Sequence, residues 1–420
     1  MDCLEFSDLR YGMFIHYGLY SQLARGEWVM NREKISAEQM RQAAVNFKPK
    51  KFSASEICRL ALDGGMKYLV FTTMHHDGFR LYASELSDFN SWNYGGRDLV
   101  REIVDAAREH GLRIGLYHSL NNWLDQPDAV AALENPDAYR QFIDNTFARL
   151  QELLQLFTPI DIFWYDGWWP FNAEEWQAER MNKELRAIQP NLIFNGRNGL
   201  PGDFRTPEGH LTAPEPWAPW EACMTLNQHW GFHAHDEDWK SPRELIKMLM
   251  TCSVGKGNLL LNIGPRGDGS IPEKSAEIIR QVGQWLQDGG DELMQNISPM
   301  RFSPGLRQSG ENGDWDPAGP FYAREQQMFW ILLYFPGQQA VLSGLEMQVK
   351  AVSCRKYGKL NFEQKDDKIT IELPQGMEKE LAPILIFDCE QTPSIYRTGG
   401  MRKPEVKHPR YDPIKPDIKY

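Results

Sequence analysis

The sequence predicts an α/β fold, a TIM-like (β/α) barrel over residues 1–300, followed by a small C-terminal β-sandwich over 301–395 and an extended tail over 396–420. Three observations carry this. With 420 residues the chain exceeds one average core and suits a large domain followed by a smaller one. Up to about residue 200, apolar runs alternate with amphipathic stretches, the pattern of parallel strands joined by crossover helices. Beyond about residue 300 the texture changes to short alternating segments, as in antiparallel sheets.

The strand candidates are GMFIHYG, KYLVFTTMHH, RIGLYHSL, DIFWYDGWW and NLIFNGRN, each rich in β-branched and aromatic residues. Between them SASEICRLALDGG and GRDLVREIVDAAREHG read as helices that end on Gly. After residue 200 a Pro- and Trp-rich stretch, TPEGHLTAPEPWAPWEA, weakens the pattern. SPRELIKMLMTCSVGKGNLLLNIGP then reads as helix, turn and buried strand, and PEKSAEIIRQVGQWLQDGG as the last barrel helix. The pattern leaves open whether all eight barrel strands exist. In the sandwich region the candidates are QQMFWILLYF, EMQVKAV, KLNFEQ, KITIELP and APILIFD. The tail, RKPEVKHPRYDPIKPDIKY, is rich in Pro and Lys and is expected to be extended.

Hydrophobic residues make up 42% and charged residues 25%, an ordinary balance for a chain that buries a full core. The net charge is −11 and the basic residues form no stripe, which argues against nucleic acid as a partner. Cys3, Cys58, Cys223, Cys252, Cys354 and Cys389 form no CxxC pairs, so neither a zinc site nor a disulfide framework is expected. Reduced thiols suit a cytoplasmic location. The start, MDCLEFSDLRYGMF, lacks a basic segment with a long apolar run, and no stretch is apolar for long enough to span a bilayer. A membrane partner is not expected.

In parallel barrels the functional groups sit where strands end. The polar residues closing the apolar runs are His16, His75, His76, Asp77, Tyr117, His118, Asp166, Asn195 and Arg197. Asp166 stands out because it closes Ile162-Phe163-Trp164-Tyr165 and precedes Gly167 and two Trp residues. The bland alternative is a helix N-cap. His75 and His76 invite a metal reading, but neighbours on a regular strand point to opposite faces, so one ion would need the strand to have ended. Hydroxyl binding or a satisfied core histidine is the expected role. Glu27 and Trp28 lie just past the first strand, where a carboxylate and an indole can hold a sugar together; a solvated charge beside a core Trp is the alternative. The 14 Trp residues fit the same idea, since flat rings suit the apolar faces of sugars, although Trp is also a good core residue.

The combination RYGMFIHYG, GEWVM, FTTMHHDGF, FWYDG, WEACMTLNQHWGF and GNLLLNIGPRGDGSIPE resembles the glycoside hydrolase family of retaining α-L-fucosidases (family 29) over roughly residues 6–300. The resemblance implies a barrel with an appended β-sandwich, no metal and no other cofactor, and exo-hydrolysis of terminal α-L-fucosyl linkages with retention. It implies a fucosylated oligosaccharide or glycoconjugate as partner, and leaves a homo-oligomer open. Position by position, Asp166 matches the nucleophile, and His16, Glu27, Trp28, His75, His76, Tyr117, Arg197 and Trp230 match the fucose pocket. At Tyr117 the neighbouring His118 departs from the tyrosine pair of the family.

Glu208, in FRTPEGH, matches the acid/base better than Glu221 in PWEAC. The Glu208 loop follows Arg197, and its Pro and Gly neighbours suit an adaptable rim. Glu221 lies against Trp220 in what reads as a packed segment, where burial would raise its pKa as an acid requires. Three other readings stay open: a related α-L-glycosidase such as an α-L-galactosidase, a catalytically silent carbohydrate-binding protein, and a metal-dependent barrel hydrolase.

Overall fold

The computed structural model describes residues 1–300, 314–316 and 318–395; the tail expected over 396–420 lies outside the described residues. The chain divides into two compact units, Met1–Ser241 with Lys256–Gly283, and Pro242–Gly255 with Gln284–Tyr420.

The first unit is built on a curled parallel sheet. Its strands are β1 (Tyr11–Ile15), β2 (Tyr68–Met74), β3 (Arg113–Ser119), β4 (Ile162–Asp166), β5 (Ile193–Phe194), β6 (Glu221–Thr225) and β7 (Asn258–Ile263). They lie in the order β5, β4, β3, β2, β1, β7, β6. Between the two edge strands runs an irregular segment: Phe204 bridges Asn195 beyond β5, while Arg205 and Glu208 bridge Trp220 and Cys223 on the β6 side, all in parallel sense. Seven strands and this segment therefore make the wall of the barrel.

Alternation along each strand decides what faces inward. Phe14, Tyr68, Val70, Tyr117, Ile162, Trp164, Ile193, Phe204, Cys223 and Leu260 pack as one interior cluster with Phe6. Local chemistry starts the crossover helices. Ser53 accepts from Glu56 N to cap Ala54–Asp63, and Asp98 accepts from Arg101 N to cap Leu99–Glu109. Asn135 caps Pro136–Phe157, with Pro136 at the first helical position, where a missing N–H costs nothing.

Two strands of the parallel sheet differ from the sequence expectation. NLIFNGRN yields only the two residues Ile193–Phe194 as strand, and WEACMT, read as a packed segment, forms β6. β6 escaped notice because Glu221 interrupts its apolar run and both of its faces are buried, which removes the alternation.

The second unit carries two antiparallel sheets. One runs β14 (Gly358–Leu360), β13 (Val349–Cys354), β17 (Ile384–Cys389), β11 (Gln327–Ile331), β10 (Gly319–Arg324), β8 (Ser298–Pro299), with β9 (Asp314–Asp316) also on β10; the other runs β12 (Gln339–Ser343), β16 (Lys368–Glu372), β15 (Phe362–Lys365). Inward residues such as Met328, Trp330, Ala340, Leu342, Ile369, Ile371, Leu385 and Phe387 form its core. None of the six cysteines is in a disulfide. No helix among the described residues is long and apolar enough to cross a membrane.

Candidate active site

Asp166 is the last residue of β4 and shares the inward face of Ile162 and Trp164. Gly167 follows with φ +67°, and a Cβ there would stand 2.7 Å from Ser119 Oγ and 3.0 Å from the His76 ring, so only Gly lets the chain turn away at once. The carboxylate is buried and held by two donors. Tyr117 donates its hydroxyl to Oδ2 at 2.8 Å, and Arg197 Nη1 donates to Oδ1 at 3.0 Å. Burial works to raise the Asp166 pKa, but the neighbouring guanidinium and these hydrogen bonds outweigh it and hold the group below its ordinary value.

Arg197 joins two carboxylates. Its Nη2 donates to Glu208 Oε2 at 2.6 Å, and Nε donates to Thr206 Oγ1 at 3.1 Å. The guanidinium lies over the Trp164 ring, 4.7 Å from its centroid. Glu208 sits on the irregular segment beside β6 with its side chain 44% exposed, so it can both touch Arg197 and meet what enters from outside.

Three histidines converge on the same place. Asn262 donates Nδ2 to Trp230 O at 2.7 Å, which fixes its Oδ1 as the acceptor from His16 Nδ1 at 2.7 Å and leaves His16 Nε2 bare. Ser119 donates to Asn121 O, so its oxygen accepts from His76 Nδ1 at 2.6 Å; His76 Nε2 stands 3.8 Å from Asp166 Oδ2. His75 stacks on Tyr117, with centroids 5.6 Å apart and planes at 8°. Burial lowers the pKa of all three, His16 to about 3 and His76 to about 4, so near neutrality the rings are uncharged and can accept from hydroxyls.

The strand has already ended where the two adjacent histidines stand. β2 ends at Met74, after a register shift between Thr72 and Met74, so His75 and His76 lie past the pleat with centroids only 4.1 Å apart. Their alternation onto opposite faces does not apply. His75, His76 and Asp166 offer ligand atoms within 4.8 Å of one another, a composition that could hold a metal ion. Arg197 already supplies positive charge against that carboxylate.

These side chains line a cavity of about 540 Å³ whose wall includes His16, Trp28, His75, His76, Tyr117, Asp166, Arg197, Glu208 and Trp230. Trp28 lies parallel to Trp169 at 5.9 Å, and Trp230 packs on His16 at 5.1 Å. Glu27 is placed differently. It does not line the cavity, and its Oε2 accepts from Gly231 N at 2.9 Å, tying the Trp28 loop to the loop that carries Trp230. His118 points away, with Nδ1 2.8 Å from Thr73 Oγ1.

Sequence reasoning did not single out Trp164, Trp168, Trp169, Thr206 and Cys223, which also line the cavity. Trp164 was recoverable, because it stands two residues before Asp166 and so shares its face. Glu221 is fully buried outside the cavity wall. It accepts from Tyr68 OH at 2.5 Å and from Trp164 Nε1 at 3.0 Å, and burial raises its pKa to about 7 despite those bonds.

The sequence model for α-L-fucosidase matches residues 4–291. The plasma α-L-fucosidase of Homo sapiens is 31% identical over 331 residues, covering 69% of this chain and 68% of that protein. The α-L-fucosidase of Dictyostelium discoideum is 28% identical over 334 residues, covering 70% and 72%. Among solved structures, α-L-fucosidase isoenzyme 1 from Paenibacillus thiaminolyticus superposes with a TM-score of 0.79 at 29% identity, over 93% of this chain and 99% of that one. The Thermotoga maritima α-fucosidase, solved in complex with fucose, does so with a TM-score of 0.72 at 26% identity, over 91% and 96%. With its match running through every element that builds the cavity, the chain belongs to the α-L-fucosidase family of glycoside hydrolases.

Proposed function

We propose that this α-L-fucosidase uses Asp166 as nucleophile and Glu208 as general acid/base on terminal fucosyl residues of oligosaccharides or glycoconjugates. The observation that carries this reading is Arg197, which binds Asp166 with one nitrogen and Glu208 with the other. Two carboxyl groups that share one guanidinium are close neighbours, as the double-displacement route requires. The Asp166 carboxylate attacks the anomeric carbon as Glu208 gives its proton to the departing oxygen. Glu208 then takes a proton from water, the water oxygen attacks the same carbon, and Asp166 is released with the α configuration restored.

The neutral histidines suit hydroxyl recognition, and the aromatic wall suits the fucose methyl group. Trp168 lines the outer cavity with 38% of its surface exposed, alongside Arg205 and His210. An open indole beside polar groups supports a sugar rather than a simple alkyl group as the leaving portion.

The test is kinetic. Asp166→Gly should lose essentially all turnover of aryl α-L-fucosides while staying folded, and azide should restore part of it as β-fucosyl azide. Glu208→Ala should lose oligosaccharide cleavage, keep more of the first step on activated aryl fucosides, and give α-fucosyl azide. Substantial turnover by Asp166→Gly, or wild-type behaviour of Glu208→Ala on oligosaccharides, would remove the corresponding assignment.

A further inference from the structure

Glu221 opens β6 on the inward face, where an apolar side chain would fill the space without desolvating a charge. Its two partners divide its carboxyl: Tyr68 OH on one oxygen at 2.5 Å and Trp164 Nε1 on the other at 3.0 Å. Trp164 is the more consequential partner. One of its neighbours is Arg197, whose guanidinium carbon stands 4.7 Å from the ring centroid. Another is Tyr117, stacked at 5.6 Å with planes 25° apart. Arg197 and Tyr117 are the two hydrogen-bond donors to Asp166.

Resting on the reading of Asp166 as nucleophile, we infer that Glu221 is a positioning residue: it fixes the Trp164 indole against which both donors to Asp166 are packed. The chain of contact runs from Glu221 to Trp164, to Arg197 and Tyr117, and to Asp166. A buried indole N–H needs an acceptor, and the one it has sets the ring's tilt about its own axis. Without that acceptor the ring is held by packing alone, and the donors that lean on it lose their fixed approach to the carboxylate. Direct proton transfer is a different role, and the geometry opposes it. Glu221 is fully buried outside the cavity wall, with Trp164 in the wall itself.

The experiment compares Glu221→Gln, Glu221→Leu and Trp164→Phe in the full-length protein, by steady-state kinetics on an aryl α-L-fucoside across pH, with melting temperature as the check on folding. Gln keeps a carbonyl oxygen for the indole N–H, so Glu221→Gln should recover kcat to within about threefold of wild type. Glu221→Leu should lower kcat on the order of tenfold or more at little-changed KM. It should also move the acidic limb of the profile to higher pH, because Asp166 is held less firmly in its ionised form. Trp164→Phe should reproduce that displacement, and adding Glu221→Leu to it should cost little more.

If Leu lowers only the melting temperature and leaves kcat and the acidic limb in place, Glu221 is merely structural and the inference fails. Should Glu221→Gln instead lose oligosaccharide cleavage, lose the basic limb and yield to azide, Glu221 is the acid/base. If Glu221→Leu does not fold, Trp164→Phe decides, and an unmoved acidic limb there overturns the inference. Failure of the Asp166 assignment shows separately, as retained turnover in Asp166→Gly.

Discussion

Arg197 carries most of the electrostatics of the site, since one guanidinium both binds Asp166 and holds Glu208. Removing it takes away the largest influence that offsets burial, leaving only His76 and the Tyr117 hydrogen bond against it, and burial raises a carboxyl's pKa. For Arg197→Met we therefore expect a fall in kcat/KM and an acidic limb displaced upward, from below the ordinary aspartate value of about 3.9. A profile of kcat/KM against pH for both proteins checks it, and an unmoved limb would show that Arg197 does not govern the ionisation. The His75, His76 and Asp166 cluster calls for a separate measurement, because its composition permits a metal ion. Activity is expected to survive prolonged EDTA treatment, with the imidazoles acting on hydroxyls; loss that zinc restores would reassign the cluster. These side chains were legible in the sequence as residues closing apolar runs. Their relative placement was not, because the end of β2 at Met74 depends on how the neighbouring strands pair.

At the scale of elements, β1 and β2 show how tightly the barrel interior is filled. Gly12 pairs with Tyr68 across the two strands, and a Cβ at Gly12 would lie 2.3 Å from the Tyr68 ring. Since Tyr68 also donates to Glu221, its ring has no cheap alternative position. Gly12→Ala should destabilise the fold by about 1–3 kcal/mol. Denaturant midpoints test this, and a wild-type midpoint would mean the interior can yield. Strands with continuous apolar runs, such as β2, β4 and β7, were readable from sequence. β6 was not, because its opening Glu221 is an inward carboxyl, and partners from distant strands, Tyr68 and Trp164, make that placement tolerable. β5 was over-read for the opposite reason: NLIF has the composition of a strand, yet its neighbours leave only Ile193 and Phe194 paired.

For the whole molecule, composition and texture foretold two kinds of architecture, and the chain shows both: a parallel sheet with crossover helices, and antiparallel sheets near the C-terminus. Short strands such as β10, GPFYAR, were missed because Gly and Pro at the start resemble a turn. None of the six cysteines is in a disulfide, so we expect the melting temperature to be the same with and without reductant, and thiol titration in denaturant to find all of them. A shift in melting temperature on reduction would reveal a bridge that this fold does not contain. The irregular segment that completes the barrel wall has a consequence for how such enzymes can diverge. A residue on β4 is locked to its sequence neighbours by strand register, so its address in the chain travels with an apolar run. Glu208 instead rides on backbone joined to its surroundings by isolated bridges, flanked by Pro207 and Gly209. Lengthening or shortening that stretch would renumber the carboxylate we propose as proton donor while leaving the floor of the cavity untouched, so related chains could keep one chemistry and still disagree about where in the sequence their second carboxylate is written.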